Sequence, residues 1–296
     1  MTWAFLTLAT AFLWALTNIN DKIIQTKWVK EPMIIMAVVG GFAFFIGFIV
    51  WIIIGFKILP LFYMLLSIGI GIFSILNAVF YFKAVKLEEI SRVAPLFYLS
   101  PLFTLILAAI FLGEIFTPLK YLGIILLIIG AVLISVQRSL KYFIRFNKAF
   151  YFMIISAFVY AVESTTTKFL VDGADYWTIF VFISFGVFFG SLPIIFIYSK
   201  NLTGTIKKYG VKVIGLATLS EFFGTSGWLL FMLAATLGPI TLVNSLAATQ
   251  MVFVLILTIT LSVFWPRLFA EKISPKIIGL KLMAIVLIIV GAYLII

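Results

Sequence analysis

Helix-length apolar runs follow one another along the whole chain, separated by short polar segments, and none alternates with the period of two that marks a half-buried strand. A helix needs about 20 apolar residues to cross roughly 30 Å of hydrocarbon. Ten runs meet that description: residues 3–19, 33–55, 61–82, 93–112 and 121–136, then 149–170, 176–198, 211–235, 240–264 and 277–296. The pattern predicts an all-α membrane protein with ten transmembrane helices. Spans of a transmembrane β-barrel are shorter and alternate in polarity, so that class is excluded. The first run lacks a basic start and is one of ten alike, which predicts a retained span, not a signal peptide.

Composition narrows the chemistry. The chain is 65% apolar and 10% charged, with a mean hydropathy of +1.29, where a soluble domain carries about 25% charged residues. It has no cysteine and no histidine, so disulfides and the commonest nitrogen and sulfur metal ligands are missing. No glycine-rich phosphate loop follows a strand. No metal, no cofactor and no enzymatic activity are expected.

The net charge of +11 raises nucleic-acid binding, but its distribution argues for a bilayer. Seventeen of the 21 Lys and Arg fall on the five odd-numbered connections: Lys22, Lys27 and Lys30; Lys83, Lys86 and Arg92; Arg138, Lys141, Arg145 and Lys148; Lys200, Lys207, Lys208 and Lys212; Arg267, Lys272 and Lys276. The even-numbered connections hold only Lys57, Lys120 and Lys168. Lys281, inside the last span, is expected to snorkel toward the basic face. Cytoplasmic loops are the basic ones, so both termini are expected outside a cell membrane that the chain crosses many times. Five short clusters do not form the continuous basic face that nucleic acid needs.

The basic segment near 138–148 divides the chain into residues 1–137 and 149–296, each with five spans. Because five is odd, the second half enters the membrane from the opposite side, and homologous halves would form inverted repeats. Tyr81-Phe82-Lys83-Ala84-Val85 stands 150 positions before Phe231-Met232-Leu233-Ala234-Ala235, and Glu114, Pro118 and Gly123 echo Glu271, Pro275 and Gly279. The segment Tyr81 to Lys86, then Pro101-Leu102-Phe103-Thr104, Leu112-Gly113-Glu114, Pro118 and Gly123-Ile124, resembles the EamA-type, ten-span branch of the drug/metabolite transporter superfamily. That resemblance implies two inverted five-helix repeats around a cavity lined by the first, third and fourth spans of each half. It implies a cargo such as an amino acid, nucleoside, other metabolite or drug. It also implies termini inside, against the charge bias. The second half departs from the pattern, with Gln250-Met251 where Pro101 maps and Val263-Phe264 where Gly113-Glu114 map.

Within the spans, acids are the sharpest candidates, because a charged side chain in hydrocarbon is costly and usually borders a wet interior. Glu221 lies about 15 Å into its helix, with Thr225 and Trp228 on the same face. There it suits proton exchange or contact with a cationic substrate. Glu163 lies roughly 20 Å along its own helix, with Tyr160 and Thr167 beside it; headgroup solvation or pairing with Lys168 is the structural alternative. Asn77 and Tyr81, with Ser74, face them from the third span. Asn244 and Gln250 add amides in the ninth, Trp14 and Asn18 an i,i+4 pair in the first. Pro95, Pro101 and Pro239 remove backbone donors and are candidate gating bends. Glu88 and Glu89 sit among Lys86 and Arg92 as loop charges or gate salt bridges, and Glu114 and Glu271 are placed to stabilise loop ends.

The function expected is a secondary transporter working by alternating access on a small organic molecule. A proton is the candidate coupling ion, exchange the other mode, and lipid the surroundings; the chain acts as monomer or homodimer. The rival reading is a non-transporting scaffold or interaction subunit; a channel and a lipid flippase come behind it.

Overall fold

The computed structural model describes residues 1–29, 33–88, 90–135, 147–266 and 275–296, without the side chains of 90–92 and 275–278. Lys30, Glu89, the basic residues Arg138, Lys141 and Arg145, and Arg267, Glu271 and Lys272 lie outside the described residues, as do the side chains of Arg92 and Lys276. Among those described there are helices and no strands. In chain order they are α1 (Thr2–Lys27), α2 (Met33–Ile53), α3 (Leu61–Leu87), α4 (Ile90–Phe97), α5 (Ser100–Phe111), α6 (Pro118–Ser135), α7 (Lys148–Gly173), α8 (Tyr176–Tyr209), α9 (Lys212–Leu237), α10 (Ile240–Ala247), α11 (Gln250–Phe264) and α12 (Pro275–Ile295).

The expected fourth and ninth spans are each broken in two. Between α4 and α5 the bonds tighten to i→i+3, from Tyr98 N to Pro95 O, Leu99 N to Leu96 O and Leu102 N to Leu99 O. Prolines explain this break, since Pro95 and Pro101 cannot donate. Between α10 and α11 the pattern recurs 150 residues on, from Ala248 N to Ser245 O, Thr249 N to Leu246 O and Val252 N to Thr249 O. No proline stands there; Pro239 is instead the N-cap of α10.

Two other boundaries move. Helix α1 does not stop at Ile19 but continues to Lys27, which brings Asp21 and Lys22 into the helix. Helix α8 continues past Tyr198 through Lys200, Lys207 and Lys208 to Tyr209. Its hydroxyls at Thr203 and Thr205 bond back to Ser199 O and Asn201 O. Lysines in the last turn complement the helix dipole, and Gly210, at φ 74, ends it. A polar run can thus remain helical beyond the apolar stretch.

Large apolar side chains such as Phe45, Phe196, Ile197, Val263 and Tyr293 stand exposed around the bundle, as lipid contact requires. Inside, α3 crosses α8 with backbones in contact. A Cβ on Gly71 would stand 2.1 Å from Ile183 O, and one on Gly186 2.1 Å from Ile68 O. Small residues permit such crossings in membranes. Helices α6 and α12 pack closely as well, Gly123 against Gly291. Lys281 is 8% exposed and engaged with a partner, so it is buried in this packing and does not snorkel freely to the interface.

Asp175 caps α8, accepting from Thr178 N at 3.0 Å and Thr178 Oγ1 at 2.6 Å. The Thr178 hydroxyl, foremost, holds its carboxyl below the ordinary 3.8. A depressed folded value stabilises above the unfolded one and is lost as pH falls through the lower value. Asp175→Ala should therefore lower stability by about 1 kcal/mol at neutral pH. In thermal melts in detergent the gap to wild type should close in strong acid; an equal gap at both pH values would remove the ionised cap from the account.

Candidate functional site

Polar groups join α1 to α9 in a ladder. Thr10 Oγ1 donates to Gly227 O at 3.2 Å, Trp14 Nε1 to Gly224 O at 3.3 Å, Thr17 Oγ1 to Ser220 O at 3.3 Å and Asn20 Nδ2 to Leu216 O at 2.8 Å. At its end the Ser220 hydroxyl bonds the Asp21 carboxylate at 2.5 Å, and Asp21 lies within electrostatic reach of Glu221. Glu221 is half-buried while its neighbour Phe222 is 56% exposed, so the acid faces the bundle and the ring faces lipid. Thr225 and Trp228 are half-buried on the same side; Trp228 stacks on Phe231, with ring centroids 5.3 Å apart, and its Nε1 has no partner. Trp14 is held by this ladder, whereas Asn18 is exposed on α1 and does not join it.

A second cluster joins α3, the α4–α5 break and α7. Ser156 on α7 donates to Asn77 Oδ1, and Ser74 bonds the Glu163 carboxyl. Glu163 is 3% exposed, and its Oε2 has no partner. It does not pair with Lys168, whose Nζ reaches Asp172 Oδ1 and Ala235 O, each at 2.8 Å. Headgroup solvation is likewise ruled out by that burial. The ring of Phe97 lies 5.8 Å from Tyr81, 5.4 Å from Tyr160 and 6.2 Å from Tyr98.

The third assembly is structural. Asn244, 3% exposed, donates to Thr104 Oγ1 at 2.6 Å and Ser164 Oγ at 3.4 Å, tying α10 to α5 and α7. Its amide is occupied inside the protein, so it is a poor cargo ligand. Gln250 is half-buried at the start of α11. Pro95 and Pro101 are buried at the first break. Glu114 does stabilise a helix end, but in the other half: Oε1 accepts from Ile240 N at 2.6 Å, and Oε2 from Thr241 N at 3.1 Å and Thr241 Oγ1 at 2.7 Å. Glu88 accepts from Asn147 Nδ2 at 3.1 Å.

Residues 1–136 match the EamA-like transporter family. The first half of the chain belongs to that family. That match makes the chain similar to membrane transporters of the drug/metabolite type, and its long apolar helices fit a multi-pass protein in lipid. A crystal structure of another protein superposes on this EamA-like chain with a TM-score of 0.66 at 17% identity, covering 99% of this chain and 95% of that one. At that identity the likeness shows a shared fold, and it spans both halves. No curated protein matches the chain.

Sequence reasoning missed two residues of these polar clusters. Asp21 falls just beyond the first apolar run, although Thr10, Trp14, Thr17 and Asp21 repeat every three to four residues and so signal one continuing polar face. Tyr98 lay unremarked between two prolines, in the segment least able to keep regular helix bonds.

Proposed function

We propose that the chain is a secondary transporter moving a small organic solute by alternating access, with residues 1–137 and 149–296 as inverted five-helix repeats joined through 138–148. Two features support the repeat. The helix breaks recur 150 residues apart with the same i→i+3 bonds. Helix α1 packs on α9 as α7 packs on α3, so the first span of each half lies on the third of the other.

One observation carries the transport reading: burial along α9, α10 and α11 is lopsided. Toward the end that holds both termini, α10 is buried at every position and α9 at Gly227, Phe231, Met232, Ala234 and Ala235. Toward the other end α9 buries only Val213, Ala217 and Ser220, one helical face, and α11 only Thr258. The Asn244 knot, the Glu114 cap and the Lys168–Ala235 bond all lie at the terminus end. This asymmetry of α9, α10 and α11 supports a closed mouth at the terminus end, as alternating access expects and a channel open at both ends does not. By charge, the looser mouth faces the cytoplasm.

Glu221 and Asp21 belong to that looser region. Two neighbouring carboxyls titrate as a coupled pair, which suits one-proton coupling. Counterflow into proteoliposomes, using a panel of labelled amino acids, nucleosides and organic cations, tests the reading. At least one panel member should exchange, and Glu221→Gln should remove any stimulation by a pH gradient while exchange survives. Wild-type transport indifferent to the pH gradient would end the proton assignment. A scaffold would exchange nothing.

A further inference from the structure

The cluster at the α4–α5 break has a chemistry of its own. Tyr81 from α3, Tyr98 from the break and Tyr160 from α7 surround the Phe97 ring at 5.8, 6.2 and 5.4 Å. Tyr160 stands one turn before Glu163 on α7, within electrostatic reach of it and of Tyr98. All three tyrosines keep part of their surface exposed, whereas Glu163 is buried. One carboxyl oxygen of Glu163 is satisfied through Ser74, and Oε2 is bare. Lys168, the nearest cation along α7, is held by Asp172 and Ala235.

An unpartnered buried carboxyl oxygen calls for a cation or a hydrogen-bond partner. A metal ion would want several oxygen ligands, and among the described residues no three acids converge. Aromatic faces attract cations, above all alkylated ammonium groups whose own hydration is poor. We propose that this cluster recognises a small organic ammonium ion, its charged nitrogen at Glu163 and its substituents against Tyr81, Tyr98 and Tyr160. That this ion is the cargo rests on the transporter reading; the recognition itself does not.

Calorimetry on the full chain in detergent tests it, with choline, benzyltrimethylammonium and the uncharged isostere of choline, dimethylbutanol, as probes. The two cations should bind roughly tenfold or more tightly than the isostere. Glu163→Gln, unchanged in shape, should weaken them about tenfold. Tyr160→Phe should keep affinity within about twofold while Tyr160→Leu loses about tenfold, since the ring face and not the hydroxyl makes the contact. Equal binding of the isostere, or full affinity in Glu163→Gln, overturns the proposal. Should Glu163→Gln fail to elute as a monodisperse peak, the contrast between Tyr160→Phe and Tyr160→Leu decides. Cation binding without any counterflow would uphold the recognition and end the transporter reading. Counterflow of a neutral or anionic solute with no cation bound would do the reverse.

Discussion

Gly186→Val should leave little folded protein. Its Cβ would stand 2.1 Å from Ile68 O on α3, and the facing Gly71 already has no room to give. Two backbones in contact cannot retreat by rotating a side chain, so α3 and α8 must part along their shared length. Overpacking a helix core commonly costs about 1–3 kcal/mol and occasionally more; a clash with backbone belongs at the upper end. Gly69→Val is the control, because its Cβ would meet nothing within 4 Å. Size-exclusion profiles and thermal melts should show Gly186→Val aggregated or strongly destabilised and Gly69→Val close to wild type. Similar behaviour of the two would mean that α3 and α8 do not touch as described.

The second large effect is expected from Glu114→Ala. This side chain is the bidentate cap that ties the α5–α6 connection of the first half to the start of α10 in the second. Charge-assisted hydrogen bonds of this kind contribute about 1.5–3 kcal/mol each, and their loss frees two backbone donors at a buried helix end. Under the proposed cycle the clamp holds the terminus-end mouth closed, so its loss should also shift the conformational balance, by about tenfold for every 1.4 kcal/mol. A cysteine placed at Ala235, buried in this state, should react with a thiol reagent roughly tenfold faster in the Glu114→Ala background. Glu114→Gln should fall between, keeping acceptance at one oxygen. Unchanged reactivity in both would show that the cap stabilises α10 without closing the mouth.

What was legible in the sequence was whatever a local rule could carry. Apolar runs located the spans because lipid is their common solvent, and Pro95 and Pro101 marked the first helix break because a missing N–H is a local fact. Glu163 and Glu221 stood out because an acid among apolar residues is anomalous anywhere along a chain. The second break was silent: Ala248-Thr249 carry no proline, and their turn follows from packing. Glu114 read as a helix-end acid, yet its partner lies 126 residues away, beyond any local pattern. Asp21 was hidden by its own neighbourhood, since falling hydropathy after Ile19 looks like an ending even where the helix continues. The amides show the same limit. Asn77 and Asn244 look alike as polar residues in spans, but only the structure shows Asn244 committed to Thr104 and Ser164.

The central claim is that a wet site opens to one face at a time, and the chain invites a direct test because it contains no cysteine. Thr225→Cys, beside Glu221 at the looser mouth, would be reconstituted in liposomes and exposed to a membrane-impermeant thiol reagent from either face. Labelling in the resting protein should come from the face of the basic connections alone, the face reported by a cysteine at Asn147. Equal labelling from both faces at once, or from the terminus face alone, would contradict the account.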